Sequence, residues 1–308
     1  MLIFINGRTT IDYMVVAWCP APVANSGGRL RMSALDSLDN PGQFVGEVSP
    51  GIGIRRVPFD QPWEWLAAGW RDLWTHPGVS LSYGAVFAGI AALMLWGMTQ
   101  TGAQSIILAA FGGFMLIGPL FAVGLYEISR DIERGEPVSF AGAIAKGLKP
   151  EGQLGFMGLV LFLIFMVWMQ VAFLLFMLFT GAQAFPPPEE FLRMLFFTPS
   201  GLGLLLVGTA VGALLSIATF SVAAVSVPLL MVKDVDVITA IRTSFRVVAA
   251  NPKAMMLWAG LIAGFMVLGG LTLFIGLVVA FPLIGHATWH AFEDLVLLDN
   301  RVMPRDGL

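Results

Sequence analysis

The stretch GPLFAVGLY at residues 118–126 runs directly into EISRDIERGE at residues 127–136. The first segment ends a long apolar run, and the second is dense in charge. A helix of this kind leaves the hydrocarbon layer of a membrane and continues into water, because lipid offers no partners for charged side chains. The stretch therefore predicts a membrane-spanning helix that ends at a charged surface.

The overall composition also indicates a membrane protein. Of the 308 residues, 57% are hydrophobic and 12% are charged, with a formal net charge of −3. A soluble domain carries about 25% charged residues, so most of this chain is expected to face lipid or other apolar helices. No basic block is long enough for a nucleic-acid partner. The expected partners are the lipid bilayer and either another membrane protein or a second copy of the chain.

Apolar segments that are long enough to cross a membrane recur along the chain. The last apolar run is about twice the roughly 20 residues that one helix needs, so we divide it at Gly269-Gly270. The predicted fold is an all-α polytopic membrane protein with six transmembrane helices. These are expected near residues 79–98, 105–126, 154–180, 201–231, 254–269 and 271–292.

The six spans fall into three similar units. Each unit begins with an amphipathic segment, near residues 60–75, 137–150 and 234–250. Each continues into a hairpin whose second arm carries a Pro-Leu pair, at Pro119-Leu120, Pro228-Leu229 and Pro282-Leu283. We predict three repeats of an amphipathic interfacial helix plus a transmembrane hairpin. The alternative is that an apolar chain acquired these pairs by chance.

The first amphipathic segment is rich in tryptophan. Most of its large apolar residues share one side of the helix, whereas Trp65 interrupts the pattern. The residues on that side are Trp63, Leu66, Trp70, Leu73 and Trp74. Indole rings favour the membrane–water interface, because they have an apolar body and a polar N–H. Packing of this helix on its own protein is the alternative.

The two ends of the chain differ from its centre. Residues 1–57 contain no long periodic apolar run, so we expect a disordered N-terminal tail. Residues 1–31 are either part of that tail or an extension upstream of a start at Met32. The six-helix transmembrane domain is expected at 58–298, followed by a cytoplasmic C-terminal tail at 299–308.

The distribution of basic residues gives the expected orientation. With six spans, one side of the membrane receives a single basic residue, Arg193. Both termini lie on the other side. That other side receives Arg55, Arg56, Arg71, Arg130, Arg134, Lys146, Lys149, Lys233, Arg242, Arg246, Lys253, Arg301 and Arg305. Because cytoplasmic loops are enriched in Lys and Arg, we expect both termini to be cytoplasmic. Five spans would place Arg301 and Arg305 outside, which weakens the bias.

The strongest candidate site lies in the last span. Offsets of four and seven residues place His286, His290 and Glu293 on one helical stripe. Three interpretations remain open. They could be polar residues at the cytoplasmic mouth of the span, ligands of a divalent metal, or a proton or ligand site.

A polar path through Gln170 and Glu127 is a weaker candidate. Gln170 could equally join two helices, and Glu127 could mark a membrane boundary.

The expected function follows mainly from what the spans lack. They carry almost no Asp, Glu, Lys or Arg, which ion-coupled transporters and pumps keep within the membrane. No phosphate loop, nucleophile elbow or HExxH motif occurs, so we expect no enzyme activity and no cofactor. A non-enzymatic accessory, assembly or scaffold role is favoured. The alternative is a permease or channel for a small neutral or lipid-like solute.

Four segments carry a resemblance to a known family. They are HPG at 76–78 after the tryptophan-rich helix, GLYEISRDIERGE at 124–136, VPLLMVKDVDVITAI at 227–241 and PLIGHATWHAFEDL at 282–295. Together they resemble an uncharacterised bacterial family of predicted integral membrane proteins, a domain-of-unknown-function family. The resemblance is expected to cover about residues 55–300. It implies a location in the bacterial inner membrane and gives no catalytic residues to carry over.

Overall fold

The computed structural model describes residues 44–101, 106–147, 152–181 and 186–298. The described chain begins with strands β1 (Phe44–Ser49) and β2 (Ile52–Arg55) and ends with strand β3 (Val296–Leu298). The first helices are α1 (Gln61–Thr75), α2 (Pro77–Thr101), α3 (Ile107–Leu116), α4 (Gly118–Phe121), α5 (Val123–Arg134) and α6 (Phe140–Gly147). They are followed by α7 (Gln153–Thr180), α8 (Pro188–Phe197), α9 (Pro199–Ala223), α10 (Ser226–Val232), α11 (Val237–Ala250), α12 (Pro252–Leu271) and α13 (Leu277–Leu295).

Four helical segments among the described residues are long and apolar enough to cross a membrane. They are Pro77–Thr101, Gln153–Thr180, Pro199–Val232 and Pro252–Leu271. Each coincides with an expected span. The expected spans at 105–126 and 271–292 are not among the four. The segment at 105–126 is interrupted, and the segment at 271–292 carries polar residues.

Proline explains the interruptions. Pro119 has no N–H to donate to the carbonyl of Met115, and the apolar segment is divided there into α3, α4 and α5. Pro228 acts similarly on the fourth expected span, at residues 201–231. The break falls at Ala224 and Val225, one turn earlier, where the carbonyl of Ala224 loses its helical donor.

The strands correct the prediction of disorder for residues 44–55. β2 lies between β1 and β3 in an antiparallel sheet, with Ile54 opposite Val296. Ile52 and Ile54 are 0% and 2% exposed, so alternate residues of β2 join the apolar core. The segment is ordered because its partner strand comes from the other end of the chain. The other parts of the two expected tails, residues 1–43 and 299–308, lie outside the described residues.

α1 packs its inner face on α13. Beside this contact, the ring of Trp65 meets the ring of Trp258 of α12 edge to face, with centroids 5.6 Å apart. At Gly69, an added Cβ would lie 2.6 Å from the backbone nitrogen of Ala287, so only glycine permits this approach. The outer face exposes Trp63, Trp70 and Trp74. Trp65 is therefore the tryptophan that anchors α1 to the protein, and the other three face outward.

Candidate functional site

A buried hydrogen-bonded network joins four helices at one end of the structure. His286 of α13 is 0% exposed and lies between two hydroxyl groups. Its Nε2 is 3.0 Å from Ser80 Oγ of α2, and its Nδ1 is 2.8 Å from Ser129 Oγ of α5. Ser129 donates to Asp72 Oδ2 of α1 over 2.7 Å. These contacts fix the relative positions of α1, α2, α5 and α13.

The donors and acceptors in this network follow from the number of hydrogens available. Ser129 has one hydroxyl hydrogen and gives it to Asp72, so it accepts from Nδ1–H of His286. Nε2 of His286 then carries a lone pair and accepts from Ser80. Both ring nitrogens are used within the protein. His286 is therefore not free to bind a metal.

Next to this network, His290 comes together with two carboxylates. One ligand atom from each of His290, Glu133 and Glu293 lies within 4.8 Å of the other two. Nδ1 of His290 is 3.6 Å from Glu133 Oε1, and its Nε2 is 2.8 Å from Asp72 Oδ2. The structure thus joins His290 and Glu293 from the predicted stripe, places His286 elsewhere and adds Glu133 and Asp72.

The pKa values of the two acids shift in opposite directions. Burial alone would raise the pKa of Asp72, but hydrogen bonds from His290 and Ser129 and the nearby imidazoles bring it below its usual value. Glu293 lies at the polar end of α13, beyond the expected span. Burial, and then the neighbouring carboxylate of Glu133, raise the pKa of Glu293 to about 8.

Asp294 has a separate role although it follows Glu293 directly. Its Oδ2 accepts from Gln61 Nε2 and from Trp65 Nε1, each over 2.8 Å. Arg55 of β2 lies 3.6 Å from its other oxygen. Asp294 therefore ties the end of α13 to α1 and β2.

The other two predicted residues lie apart from this cluster. Glu127 is 9% exposed and pairs with Arg130 at 2.9 Å and with Lys146 at 3.4 Å. These ion pairs fit a residue at the boundary of a membrane. Gln170 is exposed on α7 and is not among the described residues that line the main cavity. The two side chains therefore do not share a site, and a polar path through them stays a prediction.

The main cavity lies between α3, α7, α8 and α9. It is half-open and has a volume of about 440 Å³. Its walls are apolar apart from a few polar groups, including the hydroxyls of Thr209 and Ser216, and no described residue that lines it is charged. The indole N–H of Trp168 donates to the backbone oxygen of Ala109 over 2.7 Å, which fixes the ring at the wall. The cavity can hold an apolar molecule.

Sequence reasoning missed several of these residues for different reasons. Asp72 shares one face of α1 with Trp65 and Gly69 at helical spacing, and that pattern could have revealed it. Ser80, Ser129 and Glu133 come from helices far from α13 in sequence. No local pattern connects them to His290.

The fold and the composition together define the class of protein. A mostly helical chain with several helices able to cross a bilayer is a multi-pass integral membrane protein. Residues 106–232 match the family described as "Predicted integral membrane protein (DUF2189)". This confirms the expected resemblance over a shorter range, which includes the motif at 124–136 and every described residue that lines the cavity. No curated protein and no solved structure matches the chain.

Proposed function

We propose that this membrane protein binds a lipid-like molecule in the cavity between α3, α7, α8 and α9. The observation that carries the proposal is the cavity volume of about 440 Å³ within a wall that has no charged side chain among its described residues. Ligand sites in proteins have volumes of about 300–1,000 Å³ and are mostly apolar. Water is poorly stabilised in such a space, because it has few hydrogen-bonding partners there.

The position of the cavity favours hydrocarbon as the occupant. α7 and α9 both belong to segments able to cross the membrane, so a half-open space between them faces acyl chains. Glycines help to keep the space open. An added Cβ at Gly208 would have no heavy atom within 4 Å. The hydroxyls of Thr209 and Ser216 can accept or donate to a lipid headgroup or ester.

Binding of this kind agrees with the lipid-like solute that the sequence offered as an alternative. It also agrees with spans that lack ionisable groups, since a neutral or lipid-like molecule needs no charged site within the membrane. Transport of the bound molecule is a further step, and it stays a prediction.

We also propose six crossings in three hairpins. Contacts between distant segments support this arrangement. Gln153, at the start of α7, accepts from the backbone N–H of Val237, at the start of α11, over 3.1 Å. Ser80, in the first turn of α2, contacts His286 of α13. Phe111 of α3 and Phe274, in the turn between α12 and α13, meet with ring centroids 5.9 Å apart.

The proposed location is the bacterial inner membrane with both termini in the cytoplasm. It is supported by the bias of Lys and Arg toward one side. A reporter enzyme that works only outside the cytoplasm, fused after Leu308, tests the number of crossings. We expect no activity from that fusion. With the N-terminus in the cytoplasm, strong activity would require an odd number of crossings and would contradict the three hairpins.

An accessory, assembly or scaffold role is the second proposal. α12 supports it, because Gly260 and Gly264 lie one turn apart and an added Cβ at either would meet no heavy atom within 4 Å. Small residues at this spacing allow two membrane helices to pack closely. The partner would be another membrane protein or a second copy of this chain.

One experiment separates the two proposals. The protein is purified from its own membranes in mild detergent and analysed by native mass spectrometry. Lipid binding predicts a retained mass in the range of lipids or fatty acids. A stoichiometric protein partner without retained lipid would favour the accessory role. Purified protein with neither a retained lipid nor a protein partner would contradict both proposals.

A further inference from the structure

The last turn of α5 and the polar end of α13 bring together a set of metal-ligand atoms. His290, Glu133 and Glu293 each offer one, and these atoms lie within 4.8 Å of one another. Nδ1 of His290 and Oε1 of Glu133 are 3.6 Å apart, which is too long for a good hydrogen bond. Two ligands about 2.1 Å from a zinc ion at a tetrahedral angle are separated by about 3.4 Å. The observed spacing is thus close to that of two ligands of one cation.

His290 is oriented for this role by its other nitrogen. Nε2 lies 2.8 Å from Asp72 Oδ2, and a carboxylate can only accept, so Nε2 carries the hydrogen. Nδ1 then presents its lone pair toward Glu133. Histidines that bind metals usually donate their second N–H to a carboxylate or carbonyl in this way. Asp72 is itself held by Ser129 over 2.7 Å.

Glu133 is also held in position. Its Oε2 accepts from the indole N–H of Trp289 over 3.0 Å, and Trp289 is 4% exposed. This contact fixes the carboxylate and leaves Oε1 directed toward His290. A buried tryptophan next to His290 in the sequence therefore positions a residue that comes from a different helix.

The charges around the cluster are unbalanced. Among the described residues, no lysine or arginine pairs with Glu133 or Glu293. By contrast, Glu127 and Asp131, on the same helix as Glu133, share Lys146, and Glu127 also pairs with Arg130. Because no lysine or arginine stands beside these two side chains, a cation bound at the cluster would supply the missing positive charge.

We propose that Nδ1 of His290 and one oxygen from each of Glu133 and Glu293 bind a divalent cation of the zinc class. Imidazole with carboxylate ligands suits zinc, and three protein ligands leave a fourth position for water. The site lies at the polar end of the last expected span, next to the network that joins α1, α2, α5 and α13. A cation there would link α5 to α13 and strengthen that junction.

The test is a zinc titration of the full-length protein, purified with an affinity tag that contains no histidine. The protein is first stripped with EDTA and then titrated in competition with a chromophoric chelator. We expect about one zinc ion per chain. We expect Glu133→Gln and Glu293→Gln to weaken binding by at least about 10-fold, because each removes a charged ligand.

The controls are exposed residues of the same types outside the cluster. Glu136→Gln and His76→Gln are expected to bind zinc as the wild type does, since neither residue belongs to the cluster. Thermal melting of each variant shows that it is folded. Wild-type protein that binds no zinc at micromolar concentration would overturn the proposal. Equal binding by the wild type, Glu133→Gln and Glu293→Gln would also overturn it.

Discussion

Nε2 of His290 lies 2.8 Å from Oδ2 of Asp72, a residue 218 positions earlier in the chain. The contact joins the helix that precedes the apolar spans to the last long helix of the described structure. Asp72 also accepts from Ser129 of α5. One carboxylate therefore holds three helices, and the fold is closed by polar contacts as well as by apolar packing.

Removal of this carboxylate is expected to destabilise the protein. Asp72→Ala leaves the donors of His290 and Ser129 without their acceptor in a buried place. Each unsatisfied group of this kind costs about 1–3 kcal/mol, so we expect a clearly lower melting temperature in detergent. Glu64→Ala is the matched control, because Glu64 is an exposed carboxylate on the same helix. Equal melting temperatures for the two variants would contradict this account of the network.

The close approach of α1 and α13 gives a second prediction. Gly69→Val places a side chain within 2.6 Å of the backbone of Ala287, and neither helix can yield without losing contacts. Overpacking of this kind costs about 1–3 kcal/mol. Ala67→Val adds similar bulk on the exposed side of α1 and controls for helix propensity. Thermal unfolding followed by tryptophan fluorescence compares the two. A greater loss of stability in Ala67→Val would show that α1 packs through another face.

The start of α11 gives a prediction about pH. Asp236 caps this helix, since its Oδ1 accepts from the backbone N–H of Thr239 over 2.9 Å. Hydrogen bonds from the side chain and then the backbone of Thr239 lower the pKa of Asp236. A lowered pKa in the folded state means that the stabilisation is present above the unfolded pKa and is lost as pH falls through the folded value.

We therefore expect Asp236→Ala to melt at a lower temperature than the wild type at neutral pH. This difference should shrink as the pH is lowered toward 3, because protonation removes the charged cap from the wild type as well. Asp234→Ala is the control, since Asp234 is exposed and lies two residues before the cap. A difference between Asp236→Ala and the wild type that is constant from pH 7 to pH 3 would argue against the cap.

The outward tryptophans of α1 predict contact with the membrane interface. At 3.6 residues per turn, Trp63, Trp70 and Trp74 form one stripe opposite the buried Trp65, Gly69 and Asp72. We expect a nitroxide label at Trp70→Cys, in a Cys19→Ser background in nanodiscs, to be more accessible to oxygen than to a polar nickel reagent. The same label at Arg71→Cys, on the flank of the helix, should show the reverse. Two labels with the same polar accessibility would place the stripe in water.

Local patterns were sufficient for much of the helical architecture. Four expected spans coincide with helical segments able to cross a membrane, because long apolar runs have few alternatives. The effects of Pro119 and Pro228 also follow from the missing N–H. The six-span, three-repeat arrangement goes beyond those four segments and stays a proposal.

The parts that sequence reasoning missed depend on contacts between distant residues. β2 was expected to be disordered, because its pairing with β3 cannot be read from residues 44–57. Glu133 was read as part of a solvated charged tail, although Trp289 and His290 lie beside it. The stripe of His286, His290 and Glu293 was predicted from their spacing along one helix, without regard to the other helices that contact them. No local pattern indicates that two serines occupy both nitrogens of His286, because both serines come from other helices.

The most direct test of the central claim is photo-crosslinking with a diazirine-bearing fatty acid in membranes that contain the protein. We expect labelled peptides from α7 and α9 around the cavity in the wild type. Gly208→Phe should abolish this label, because its side chain fills the open space at that position. Gly260→Phe adds the same side chain at an open position on α12 and should leave the label unchanged. Labelling of α7 and α9 that is equal in the wild type and both variants would contradict lipid binding in this cavity.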